Sequence, residues 1–140
     1  MANPRQVREL TRKVLERFPP PNETYYTLHF HNTRGMGLAN VFAAMQSGAD
    51  RFDAALGGIG GCPYAPGATG NVCTEDTVHM LELMGSDTGV DLSGLLRCAA
   101  ELPLLVGHDV PGQLLKAGVR LKRHALPASF EGIRRRAAAR

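Results

Sequence analysis

Helix-period and strand-period segments alternate along the 140 residues, and that alternation predicts an α/β protein. Three observations carry this fold class. A run with apolar residues three and four apart is followed by a run alternating every second residue, and the pair then repeats. The intervening helical runs have the length of crossovers in parallel βαβ units. A glycine-rich loop follows the second strand pattern and leads into a further helix. At 44% apolar and 21% charged residues the chain is core-forming, which excludes wholesale disorder. No apolar run approaches the ~18 residues of a bilayer span, and the first residues are polar and mixed in charge, so neither a membrane segment nor a secretory signal is expected.

Asn3-Pro4 predicts the first helix start, because proline lacks the amide that the first helical turn leaves unbonded. Val7, Leu10, Val14, Leu15 and Phe18 follow at helical spacing, and Pro19-Pro20-Pro21 stops the run. Tyr25 to His31 alternates as a strand, with Tyr26, Leu28 and Phe30 on one face and Tyr25, Thr27, His29 and His31 on the other. Leu38, Val41, Phe42 and Met45 predict the buried face of a second helix ending near Gly48. Arg51 to Leu56 reads as a second strand running into Gly57-Gly58-Ile59-Gly60-Gly61, and six of residues 57–70 are glycine. Thr74 reads as the cap of a third helix, with Glu75 and Asp76 at its positive end and Val78, Leu81 and Met84 inward. A further helix is expected from Asp91, carrying Leu92, Leu95, Leu96, Ala99 and Leu102, with a shorter one after Pro111 and fraying beyond about Leu126.

Charge and cysteine content narrow the setting. From Lys116 onward there are eight Lys/Arg against Glu131 alone, so the net charge of +3 resides in the tail. That tail reads as a solvated segment, with nucleic-acid binding through Arg134-Arg135-Arg136 as the lesser alternative. Three cysteines form no CxxC pair and no even disulfide framework, which points to a reducing, cytoplasmic setting.

Two features carry chemistry. His29 and His31, two apart on a strand, point the same way at its C-terminal end, the edge where parallel α/β folds bind ligands. Neutral imidazoles paired with oxygen donors suit divalent ions, although His-x-His also fits an ordinary polar strand face. Cys62 follows four glycines on a loop able to approach a ligand closely, and is either an acid, base or nucleophile or an incidental thiol. Cys98, beside Leu95, Leu96 and Ala99, reads as core, and Cys73 as a weaker functional candidate than Cys62. Asn71 reads as a turn or cap residue. Asp53 either faces a site or makes a structural hydrogen bond. His79, His108 and His124 have no evident partners and read as surface or capping residues.

The run Leu28-His29-Phe30-His31-Asn32-Thr33-Arg34-Gly35, then Gly37-Leu38-Ala39-Asn40, then Gly57 to Asn71 (GGIGGCPYAPGATGN), closely resembles 3-hydroxy-3-methylglutaryl-CoA lyases. Thr74-Glu75-Asp76 and Thr88-Gly89-Val90 extend the resemblance, which covers roughly residues 1–120. It implies a (β/α)8 TIM barrel that cleaves 3-hydroxy-3-methylglutaryl-CoA, or a related 3-hydroxyacyl-CoA, to acetyl-CoA and acetoacetate with Mg2+ or Mn2+. Such chemistry belongs to leucine degradation and ketone-body formation. The resemblance makes His29, His31 and Asn71 metal ligands, Cys62 and His29 catalytic, and Gly60, Gly61 and Cys62 a substrate-binding loop.

The departures from the family pattern also shape the expectation. The Arg-Asp pair that the family carries on its first barrel strand has no counterpart here, and Asn32 stands where several relatives have Asp. The chain is therefore expected to hold about strands six to eight of a barrel, with residues 1–90 the C-terminal barrel portion, 91–126 a helical region and 127–140 a frayed basic tail. Met1 then reads as an internal methionine of a longer gene. The expected partners are an acyl-CoA substrate and a missing N-terminal barrel half or a homo-oligomer, with no membrane. The alternative to an active lyase is a fragment or split-barrel half that is inactive alone.

Overall fold

The computed structural model describes residues 2–20, 25–123 and 125–139 of the chain. The expectations that fall on Met1, Pro21 and His124 lie outside these residues.

Helix α1 spans Pro4–Arg17 and begins where Asn3-Pro4 predicts. Asn3 Oδ1 accepts from Gln6 N at 3.0 Å while Gln6 Oε1 accepts from Asn3 N at 3.1 Å, a reciprocal capping box. Asn3→Ala removes one half of that box and is expected to lower stability by about 1 kcal/mol, read as a lower urea midpoint with an unchanged slope. The buried stripe of α1 is Val7 and Thr11, whereas Leu10 and Phe18, expected inward, are exposed.

Strand β1, Thr27–His29, pairs in parallel with strand β2, Arg51–Asp53, in the register Thr27↔Arg51, Leu28↔Phe52, His29↔Asp53. Both are shorter than the sequence pattern suggests. The alternation within β1 is nonetheless as expected: Leu28 and Phe30 turn inward, and Tyr25, Thr27 and His29 are exposed. Helix α2, Gly37–Met45, crosses between the strands and packs on α1. Its buried residues are Gly37, Asn40, Val41, Ala43 and Ala44; of the expected face Val41 is buried and Leu38 and Met45 half-buried, while Phe42 lies at the surface, which corrects the expectation at that residue. Val7, Ala43, Ala44 and Ala49 form one core with Leu28, Phe30 and Phe52 against it, and small residues let the helices approach the strands closely.

After β2 the chain makes a 3-10 turn at Leu56–Gly58 in place of the longer strand expected to Leu56. It loops out and returns along residues 70–73, where His31 bridges Asn71 in antiparallel sense and Ala55 bridges Cys73 in parallel sense. Helix α3, Thr74–Leu83, has Cys73 as its N-cap. Thr74 is already helical, one residue from the expectation, because Cys73 is still extended and bonded to the strand register. Val78 is buried and Met84 exposed.

Helix α4, Leu92–Val106, starts after Asp91 as expected and buries Ala99 and Leu102. Cys98 is exposed rather than in the core, since it precedes Ala99 and is turned ~100° away around the helix. Helix α5, Gln113–Ala117, is the short helix expected after Pro111, and Asp76 caps it by accepting from Gln113 N at 2.9 Å and Leu114 N at 2.6 Å. Within the stretch expected to fray, Phe130–Ala138 forms helix α6 with no buried residue. Among the described residues no helix is long and apolar enough to cross a membrane.

Candidate functional site

The parallel register sets the first half of the site. His29 and Asp53 are directly opposed, and His29 Nδ1 lies 3.1 and 3.0 Å from Asp53 Oδ1 and Oδ2. A carboxylate accepts only from a protonated ring nitrogen, so Nδ1 donates, and the neutral form of the ring then carries its lone pair on Nε2. This is the arrangement in which an acid orients a metal-binding imidazole. Of the two roles open to Asp53 from sequence, the structure shows the hydrogen bond, and its partner is a site histidine.

His31 sits one pleat further along the same face, with its ring centroid 5.1 Å from that of His29 in an edge-on arrangement. Asn32 N donates to Gly70 O at 3.0 Å and Val72 N to Phe30 O at 2.9 Å, which makes His31 and Asn71 a non-hydrogen-bonded antiparallel pair. Side chains of such a pair stand close together on one face. Asn71 Nδ2 donates to Ile59 O at 3.0 Å, whereas Asn71 Oδ1 is buried without a hydrogen-bond partner. A buried, unbonded amide oxygen costs about 1–3 kcal/mol, so its retention on the residue bridged to His31 fits a site that offers it a ligand.

The turn or cap role read for Asn71 from sequence is thus replaced by a strand-end position. Among the described residues no three His, Cys, Asp or Glu side chains gather as a metal cluster. What the fold does place side by side is the His29 and His31 rings, with Asn71 bridged to His31 across the strand end; imidazole nitrogen and amide oxygen are donor types that divalent cations accept.

Glycine holds the Asn71 carboxamide in place. At Gly60, φ is +89° and a Cβ would lie 2.7 Å from Asn71 Nδ2. At Gly70, φ is +108° and a Cβ would lie 2.5 Å from Gly58 O and 2.6 Å from Gly60 O. Both positions favour glycine for their backbone conformation, and at Gly70, where the contacts are backbone oxygens, space requires it as well.

Cys62 stands apart from this group. It is free and exposed on the outer arm of the loop, next to Gly61 and near Tyr64, which is 93% exposed. The structure brings His29, His31 and Asn71 together and leaves the Cys62 thiol on the loop.

Cys73 and Glu75 were not read as a pair from sequence. Glu75 is fully buried and accepts from Gly57 N at 2.9 Å and from Cys73 Sγ at 3.0 Å. Burial, reinforced by the Glu75 carboxylate, pushes the Cys73 thiol up and keeps it protonated. The carboxylate at the third helix's start carried the signal, but the dipole argument already accounted for an acid there.

Clefts lie elsewhere among the described residues. One of about 500 Å3 runs between β2 and α3 past Phe52, Val78 and Thr88, and one of about 480 Å3 lies between α3 and α5 past His79, Met80 and Leu114.

The chain is similar to proteins already known. The chain is 50% identical over 118 residues to the (R)-citramalyl-CoA lyase of Chloroflexus aurantiacus, covering 84% of this chain and 36% of that protein. It is 46% identical over 115 residues to a hydroxymethylglutaryl-CoA lyase of Bacillus subtilis, covering 82% of this chain and 38% of that one. Among solved structures, an HMG-CoA lyase from Acinetobacter baumannii in complex with coenzyme A and 3-methylmalate superposes with a TM-score of 0.84 at 56% identity, covering 91% of this chain and 41% of that one. The chain thus spans well under half the length of the relatives it matches. The HMGL-like family model matches residues 1–101, and with the lyases on either side of it in sequence and structure, the chain belongs to the HMGL-like family.

Proposed function

We propose that the chain is the C-terminal portion of a (β/α)8 lyase barrel, residues 1–90 supplying barrel and residues 91–126 a helical cover, and that it carries the metal-binding part of the active site. The observation that carries this reading is the buried, unpartnered Asn71 Oδ1 beside His29 and His31. The exposed strand face bearing Thr27, His29, Arg51 and Asp53 supports it, since completing a barrel would turn that face inward.

The reaction is cleavage of a tertiary 3-hydroxyacyl-CoA to acetyl-CoA and an oxo acid, with Mg2+ or Mn2+ held by His29 Nε2, His31 and Asn71 Oδ1. When bound, the cation acts as a Lewis acid on substrate oxygens. The tertiary hydroxyl gives its proton to solvent, the carbon–carbon bond breaks, and its electron pair passes to the acetyl thioester as an enolate. Cys62 delivers its thiol proton to the enolate carbon once the Gly60-Gly61 arm closes over the site and excludes water. Solvent returns one proton to the Cys62 thiolate once the products have left, which closes the proton balance. His29 is held for this work by Asp53. The substrate is 3-hydroxy-3-methylglutaryl-CoA, which yields acetoacetate. (R)-Citramalyl-CoA is the second reading, favoured by the relative at 50% identity that bears that name. The two substrates differ by one methylene between the tertiary carbon and the free carboxylate.

The test is Mn2+-dependent acetyl-CoA release from each thioester by the purified 140-residue chain, alone and mixed with an N-terminal barrel half that supplies the Arg-Asp strand. The expected result is no release by the chain alone and metal-dependent release from the mixture, lost in the Cys62→Ala variant. Release by the chain alone would overturn the requirement for the Arg-Asp strand. A mixture that binds Mn2+ yet cleaves neither thioester would overturn the lyase reading.

A further inference from the structure

The glycine loop leaves the fold through residues 55–60 and returns through residues 70–74, and these two arms form a closed neck. Ala55 N donates to Val72 O at 3.1 Å, Thr74 N donates to Ala55 O at 3.0 Å, and Asn71 Nδ2 donates to Ile59 O at 3.0 Å. The tightest point is at Gly57. Its amide donates to both oxygens of Glu75, at 3.1 and 2.9 Å, and Glu75 Oε2 also takes the Cys73 thiol at 3.0 Å. One buried carboxylate therefore bonds the departing arm through Gly57 and the returning arm through Cys73, two residues from Asn71.

The clasp is closed from outside as well. Gly57 O accepts from Gly112 N at 3.0 Å, and a Cβ at Gly112 would lie 3.0 Å from Cys73 Sγ. Val110, 1% exposed, and Leu102, 8% exposed, both stand against Gly57.

We infer that Glu75, with Cys73, is a positioning residue: the carboxylate locks both arms of the loop neck and so aims Asn71 Oδ1 at the point where His29 and His31 converge. The inference rests on the reading of Asn71 as a ligand. Neither Glu75 nor Cys73 touches the cation. A carboxylate joining two backbone segments fixes their spacing more firmly than any one ladder bond, because charge-assisted hydrogen bonds are about twice as strong as neutral ones. Losing such support around a metal ligand typically costs about 10–100-fold in affinity.

The experiment follows hydrogen exchange over residues 55–74 and Mn2+ affinity in the full 140-residue chain for Glu75→Ala, Glu75→Gln and Cys73→Ala. Glu75→Ala is expected to speed exchange across both arms and to weaken Mn2+ binding about tenfold. Glu75→Gln, whose Oε1 still accepts from Gly57 N, is expected to recover most of both. Cys73→Ala, which removes one donor, is expected to weaken binding about fivefold, the worth of one net hydrogen bond. Exchange and affinity at wild-type values in Cys73→Ala and Glu75→Gln, together with a folded and equally unaffected Glu75→Ala, would overturn the clasp. If Glu75→Ala does not fold, wild-type exchange and affinity in Cys73→Ala would overturn it. If the wild-type chain binds no Mn2+, the reading of the metal site fails, and exchange over the two arms still decides whether the clasp exists.

Discussion

Asn71→Ala is expected to weaken Mn2+ binding by roughly 100-fold or more, since loss of a direct ligand should exceed the usual cost of losing a supporting residue. The fold should survive the change. The variant gives up the bond from Asn71 Nδ2 to Ile59 O, worth about 1 kcal/mol. It also removes a buried oxygen that has no protein partner, which offsets part of that loss. The backbone bonds that anchor residues 70–72 to β1 are untouched. Stability by urea unfolding should therefore shift little while affinity collapses. Comparable loss of both, or an Mn2+ affinity within twofold of wild type, would show that the amide oxygen is not a ligand.

The second large effect has the opposite signature. Gly70→Ala places a methyl group 2.5 Å from Gly58 O and 2.6 Å from Gly60 O, both backbone atoms, at a φ of +108° that disfavours any L side chain. Left-handed backbone alone costs about 1–2 kcal/mol, and displacing two carbonyls raises the total to roughly 3 kcal/mol or more. Against the ~5–15 kcal/mol that holds a typical domain, such a loss leaves little margin. Urea unfolding followed by circular dichroism should show a midpoint far below wild type, and a shift under about 0.5 kcal/mol, the size of an ordinary surface substitution, would contradict the neck geometry. Gly60→Ala offers the instructive contrast. Its methyl meets the Asn71 side-chain amide at 2.7 Å, a group able to rotate away, so metal affinity should suffer more than stability.

These two variants also show how far the sequence could be read. The order of helices and strands was legible because each local signal had one physical meaning: proline at the first helical turn after Asn3, period-two alternation across His29, and the proline run that stops the first helix. Burial was less legible. Val41, Ala99 and Leu102 are buried as their spacing predicts, but Phe42 and Cys98 are not, and Ala43 and Ala44 share the inner face of α2. Close packing of helices on strands selects small residues, and hydrophobicity alone does not show which apolar residue meets the partner.

The site divides in the same way. His29 and His31 point together because of strand geometry, which sequence spacing conveys. Asn71 joins them only through the bridge to His31, a pairing across forty residues that no local pattern encodes. The resemblance to known lyases supplied it. Glu75 was hidden for a related reason: its partners, the Gly57 amide and the Cys73 thiol, reach it by the return of the loop. An acid in the first turn of a helix is already explained by the helix dipole, so its residue type alone does not point to the loop.

The most direct test of the account counts the imidazoles on one bound ion. Mn2+ added to chain labelled with 15N-histidine, examined by pulsed electron paramagnetic resonance, should show coupling to two histidine nitrogens. His29→Ala and His31→Ala should each leave one coupling, while His79→Ala and His108→Ala should leave two. Bound Mn2+ with no histidine coupling, or couplings that persist in both His29→Ala and His31→Ala, would contradict a metal site at the C-terminal end of β1.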